Sequence, residues 1–247
     1  MAALPRLAPA FGPASGPDLT GAVTSTAAAG VSGRFVVVDG AGPLSLSVAT
    51  LLRAAGVGLV RAGAWAADTL DAELRVGGST GPDLLVLLAA RSVDPRGAEP
   101  WRRRGVPLLP VVVDAARVVV GPWVAGDPAQ PCLVCLHLTR TGHDLVGSAA
   151  APPRPATATV DEPLVSMGAG LAAMVAVAGL GGAAIPVGVS VEVGGPWPRV
   201  EHRRWDRHTE CPHHEEHEPG VVRPPPGGAW RTGQSPRRPP APGARSR

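Results

Sequence analysis

Three cysteines are all the thiols in this chain, and two of them, Cys132 and Cys135, stand in the run Pro131-Cys-Leu-Val-Cys-Leu136. A Cys-x-x-Cys turn offers two thiolates to one tetrahedral ion, and Zn²⁺ accepts three sulfurs and a nitrogen as readily as four sulfurs. The third thiol opens Cys211-Pro-His-His214, so the C-terminal part of the chain adds one sulfur and two imidazoles. His214 repeats the x₂ spacing of the first half and is the favoured fourth ligand, with His213, His208, Asp206 and His217 as alternatives. The expectation is a structural zinc site on Cys132, Cys135, Cys211 and His214 that ties the middle of the chain to its C-terminal part. The plainer reading is a free Cys-x-x-Cys, either a small redox pair or buried apolar residues.

Such a staple needs a domain around it. At 247 residues the chain allows one domain of ordinary size with tails, or two small ones. It is 45% hydrophobic but only 3% aromatic, with 32 Gly and 29 Pro, so the core must be built largely from Val, Leu and Ala. There is no Lys, Asn or Tyr, and every one of the 23 basic residues is Arg, a usage that reads as high-GC coding bias. The formal charge of +3 sits largely in the C-terminal tail, so it does not read as a nucleic-acid footprint. Met1 to Gly30 has no continuous apolar run of the secretory kind. A thiolate site also suits a reducing compartment, and a cytoplasmic location is expected.

Residues 1–32 and 218–247 are rich in Gly, Pro, Ala, Ser or Arg without periodicity, and are expected to be disordered tails around a folded unit at 33–217. Phe35-Val-Val-Val38 reads as a buried strand, followed by Asp39-Gly-Ala-Gly42 and then a helix carrying Leu44, Val48, Leu51 and Leu52. Further strands are expected at Val57–Val60, Asp83–Leu88 and Pro107–Val113, with a short amphipathic helix around Trp101. This alternation predicts an α/β fold of three layers, a mainly parallel sheet covered by helices. Leu164–Leu180 is uncharged but short and contains three glycines, so it reads as a buried core helix and no membrane span is expected. Val187–Val193 and Val200–Trp205 alternate as an antiparallel hairpin would, and that hairpin delivers Cys211.

A strand-to-helix Gly-Ala-Gly turn, a Cys-x-x-Cys directly after proline, a later helix, a hairpin and a second metal half form an ordered combination. It resembles the ThiF/MoeB/HesA-type superfamily, relatives of ubiquitin-activating enzymes with a Rossmann-like domain. It is most similar to the actinobacterial ThiF-like proteins related to leader-peptide-binding parts of azole-forming cyclodehydratases. The segment Gly121–Leu136 carries most of the likeness, which spans about residues 33 to 214. The resemblance implies a peptide, a small carrier protein or an enzyme as partner, and a homodimer in many members. Active members bind ATP-Mg²⁺ at the end of the sheet and adenylate a C-terminal carboxylate.

Against that pattern, Gly40, Gly42 and Ser45 match the three small positions of the phosphate turn. Asp39 places a carboxylate just before the turn, and Pro43 removes one N–H donor. No acid suited to a ribose follows the second strand at Arg61-Ala-Gly-Ala64, and Ala89-Ala-Arg-Ser92 stands where active members place a metal-binding Asp. The phosphate-bridging Lys has no counterpart in a chain without lysine, and Arg53 or Arg61 would compensate only in part. The expectation is a ThiF-like scaffold that has lost most of its nucleotide chemistry. The alternatives are an ATP-dependent adenylyltransferase and an NAD(P)-binding oxidoreductase, the latter disfavoured by the missing acid. Arg102-Arg-Arg104 is expected to be a solvated helix face, Trp197 and Trp205 to cover the sheet or the zinc knuckle, and no nucleophile-elbow motif supports a hydrolase.

Overall fold

A computed structural model describes residues 30–114, 116–147, 161–195 and 197–215. Most of the expected tails, together with His217, lies outside the described residues. Seven strands form one sheet in the order β2-β1-β3-β4-β5-β6-β7. β1 (Phe35–Asp39), β2 (Leu59–Gly63), β3 (Leu84–Ala90) and β4 (Leu108–Asp114) pair in parallel, as the continuous apolar runs predict. β5 (Arg117–Val120), β6 (Val189–Gly194) and β7 (Arg199–Arg204) extend the sheet antiparallel. The second strand begins later than expected: Val57 belongs to the cap of the preceding helix, its N–H bonded to Leu52 O at 3.1 Å behind Gly56 at φ 88°.

The period of two along each strand divides the side chains between two helical layers. Val36, Val38, Leu84, Val86, Leu109 and Val111 face α1 (Pro43–Ala54) and α5 (Glu162–Leu180). Phe35, Val37, Leu85, Leu87 and Leu108 face α2 (Ala66–Arg75), α3 (Pro95–Arg103) and α4 (Leu133–Gly147). The arrangement is the expected three-layer α/β fold with a C-terminal antiparallel hairpin. Val31 is fully buried in the first of these layers, so ordered packing begins ahead of position 33.

Among the described residues α5 alone is long and apolar enough to cross a membrane. Its composition has another cause: Val165, Gly168, Ala169, Ala172, Ala173 and Ala176 form a buried stripe of small residues against α1 and β5. A Cβ on Gly168 would stand 2.6 Å from Val118 Cγ1, so the helix lies closer to the sheet than any larger residue allows.

Of the two tryptophans expected to act as covers, Trp205 does so. It is 3% exposed and donates its indole N–H to the buried Ser190 Oγ at 2.9 Å. Trp197 instead stands 81% exposed on the β6–β7 turn.

Candidate metal centre and the glycine turn

The two halves of the Cys/His pattern meet at one end of the α4 layer. Pro131 and Cys132 lead into α4, and Leu136 N bonds Cys132 O at 3.1 Å, so Cys132 sits at the cap and Cys135 in the first turn. Helix N-termini favour negative charge, and thiolates gain from that position. The other half is a tight turn after β7, where Cys211 N bonds His208 O and His214 N bonds Cys211 O, each at 3.1 Å, leading into the short helical turn α6 (Pro212–Glu215).

Cys132 Sγ lies 3.8 Å from Cys135 Sγ and 3.5 Å from Cys211 Sγ, while His214 Nε2 lies 3.1 Å from Cys135 Sγ. All four ligand atoms fall within 4.8 Å of one another. A zinc tetrahedron with bonds of about 2.3 Å to sulfur has edges of about 3.8 Å between sulfurs and about 3.5 Å between sulfur and nitrogen. The donors therefore already stand at about the separations such an ion needs. Cys135 and Cys211 are fully buried, and Val134 and Leu138 pack beside the cluster.

Burial and mutual hydrogen bonding shift the three thiols in opposite directions. The Cys135 thiol is lowered to about 4, first because Cys132 donates to it and also because the His208 N–H does. The Cys132 thiol is pushed far up by donating that same bond and by burial, and burial pushes Cys211 up as well. Thiols bind a metal as thiolates, so loading a cation on these sulfurs releases protons.

His213, one of the alternatives for the fourth ligand, stands beside the cluster instead, and its own partner Glu99 was not legible in sequence. His213 presents Nδ1 to Cys132 Sγ at 3.6 Å and Nε2 to Glu99 Oε2 at 3.5 Å. Glu99 lies on α3 and is held by a two-pronged bond from Arg102 at 2.8 and 2.7 Å, which keeps its carboxyl below the usual range. Only the i, i+3 spacing of Glu99 and Arg102 hinted at that pair. Of the other fourth-ligand alternatives, His208 Nδ1 accepts from Glu210 N at 3.2 Å, and Asp206 lines a cleft on the neighbouring surface.

The glycine turn lies at the C-terminal end of the sheet between β1 and β3, where the strand order reverses and ligands of doubly wound folds bind. Gly40 is required there, since a Cβ would come within 2.6 Å of Leu88 Cβ. Gly42 has φ 92° with open space around it and leads directly into α1. Ser45 is 2% exposed, and among the described residues its Oγ has no hydrogen-bond partner. A phosphate cradle is thus partly present, with Pro43 lacking an N–H.

The other parts do not fit a magnesium-bound nucleotide. Asp39 turns towards α2 and accepts the Ala67 N–H at 3.1 Å, capping a helix whose own N-cap residue, Trp65, sits at φ 65° without a side-chain cap. Burial raises the Asp39 carboxyl, and that bond offsets it only in part. Beyond β3, Arg91 adopts φ 71° with its N–H on Val113 O at 3.1 Å and its carbonyl bonded by Arg140 at 2.9 Å. Neither arginine proposed to replace the missing lysine is available at the turn. Arg53 is in the last turn of α1 on Val60 O at 2.8 Å, and Arg61 pairs with Glu73 at 2.7 Å.

Arg102-Arg-Arg104 is more than a solvated face. Arg104 stacks on the buried Trp101 at 5.2 Å and pairs with Asp71 at 2.6 Å, and Arg102 holds Glu99.

No family model matches the chain, and no curated protein matches it. Solved structures do. A heterocyclase in complex with substrate and cofactor superposes with a TM-score of 0.54 at 14% identity, over 76% of this chain and 26% of that one. The heterocyclase TruD gives 0.54 at 17% identity, over 76% of this chain and 28% of that one. Escherichia coli MccB with MccA gives 0.53 at 15% identity, over 76% of this chain and 68% of that one. This chain therefore spans about a quarter of the heterocyclases and about two thirds of MccB. With the sheet order and the glycine turn, these likenesses show that the chain shares its fold with MccB and the heterocyclases.

Proposed function

We propose that this protein is a ThiF-like component of a peptide-modification or biosynthetic pathway, holding a peptide or a partner enzyme on its scaffold rather than adenylating it. The observation that carries the reading is the fate of Asp39. Its carboxylate is committed to the first turn of α2, and the corner after β3 carries the locked Arg91 where active members hold a metal-binding acid. A chain without lysine also lacks the mobile ammonium that bridges nucleotide phosphates in active members. MccB solved with MccA, and a heterocyclase solved with its substrate, make a peptide-like partner the natural counterpart by analogy of fold. A structural zinc on Cys132, Cys135, Cys211 and His214 would keep the partner-facing loops fixed, in a reducing cytoplasmic setting.

One observation favours the rival adenylyltransferase: the orphaned hydroxyl of Ser45, buried at the head of α1, is placed where a phosphate oxygen would satisfy it. ATP–pyrophosphate exchange with equilibrium dialysis of labelled ATP decides between them. The scaffold reading expects no exchange and no saturable ATP binding. Exchange above a Ser45→Val control would replace it with the enzyme.

A further inference from the structure

The loop between β7 and the metal cluster forms a second candidate site. Its strand end and turn, with the middle of α4, enclose an open cleft of about 400 Å³. Thr139, Arg203, Arg204, Arg207, His208 and Thr209 line it, and Asp206 is its one acid. Counting three guanidiniums against that carboxylate leaves the cleft net positive.

The guanidiniums are not absorbed by neighbouring acids, as most others on this surface are. Among the described residues the Arg204 side chain makes no ion pair or hydrogen bond, and that of Arg207 reaches only Pro128 O at 3.4 Å. Arg203 stacks on Trp205 at 4.2 Å and only grazes Glu192 at 4.0 Å. Arg140 lies over the same ring at 5.3 Å, adding positive potential beside the cleft. Solvated arginines spread over a surface would not call for a ligand. Here the buried Trp205 fixes the platform, and two threonine hydroxyls add neutral donors among forked ones.

We propose that this cleft is a binding site for a carboxylate-rich peptide segment, with Arg204 and Arg207 as its principal contacts. The choice of a peptide rests on the functional reading above; the anionic character of the ligand does not. Nucleic acid is the poorer fit, because Trp205 is too buried to stack a base and the positive stretch is short. The metal centre takes part indirectly. His208, which lines the cleft, also gives its carbonyl to Cys211 N and its N–H to the Cys135 sulfur, so the cleft wall is anchored to the cluster.

The test uses the full zinc-loaded chain and a fluorescein-labelled tetraglutamate peptide, read by fluorescence anisotropy. Its tetraglutamine counterpart and inorganic phosphate, matched in ionic strength to chloride, serve as comparisons. Saturable binding of the acidic peptide is expected, weakening with salt, and falling at least about tenfold in an Arg204→Glu, Arg207→Glu variant that keeps its zinc and its Tm. A variant that lost zinc or Tm would be replaced by Arg204→Gln, Arg207→Gln, read the same way. Equal binding by the variant, equal binding of the glutamine peptide, or no binding at all would overturn the proposal. Displacement by phosphate well below the matched chloride concentration would also overturn it, in favour of a phosphate site. None of these outcomes bears on ATP–pyrophosphate exchange, so the two readings fail separately.

Discussion

Cys211 Sγ lies 3.5 Å from Cys132 Sγ although 79 residues separate them in sequence. That contact closes the hairpin and its following turn onto the start of α4. An ion there stabilises by closing a long loop and by its own bonds, and structural zinc is worth about 10–16 kcal/mol in small domains. Total domain stability is only about 5–15 kcal/mol. Cys211→Ser should therefore reduce zinc from about one per chain to a small fraction of that, and lower Tm by at least about 10 °C, at about 2–4 °C per kcal/mol. Elemental analysis and calorimetry check both, and unchanged values would remove the ion from the account.

Asp39 offers a stability change of opposite sign. Its carboxyl is raised in the folded protein, first by burial, so the native state binds its proton more tightly than the unfolded chain does. Stability must then fall as pH rises from the unfolded value of 3.8 through the raised folded one, and stay lower above it. Asp39→Asn keeps an acceptor for the Ala67 N–H and removes that penalty. Its Tm should exceed wild type at neutral pH and match or trail it near pH 3.8. A variant less stable than wild type at neutral pH would show that the ionised cap outweighs the cost of burial.

α5 should behave as a core helix throughout. Gly168→Ala drives a methyl group into Val118, and overpacking of this kind costs about 1–3 kcal/mol. Met174, 69% exposed on the same helix, should accept Gln within about 0.5 kcal/mol. Urea unfolding of the two variants checks the contrast, which a membrane-embedded helix would not produce.

The arginine run before β4 should act through structure. Arg104→Ala leaves Asp71, only 11% exposed at its side chain, with Arg75 as its remaining ion-pair partner, and uncovers the Trp101 ring. A loss of about 1–3 kcal/mol is expected, measured by denaturant titration. Arg103→Ala, whose side chain is 69% exposed, should change stability by less than about 0.5 kcal/mol.

What the sequence revealed follows from how locally each feature is encoded. Strands β1, β3 and β4 are buried on both faces, so their apolar runs announce them. The Cys/His halves were legible because ligand chemistry tolerates few residue types, and the structure draws the expected four together. Helix α2 was missed: its buried positions are only Ala67, Leu70 and Asp71, and it opens on a left-handed Trp65 in place of a capping side chain. Its true cap, Asp39, comes from a strand 28 residues away, so no local pattern could show it. Trp197 and Trp205 look alike in sequence, and only the indole bond to Ser190 and the packing on α4 separate them.

The last strand of the sheet has a consequence for assembly. Among the described residues β7 leaves one side unpaired, yet Arg199, Glu201 and Arg204 along it are exposed and charged. Charges on a rim strand oppose the sideways zipping that turns open sheets into fibrils or joined dimers. That rim is therefore better suited to water than to pairing with a second sheet.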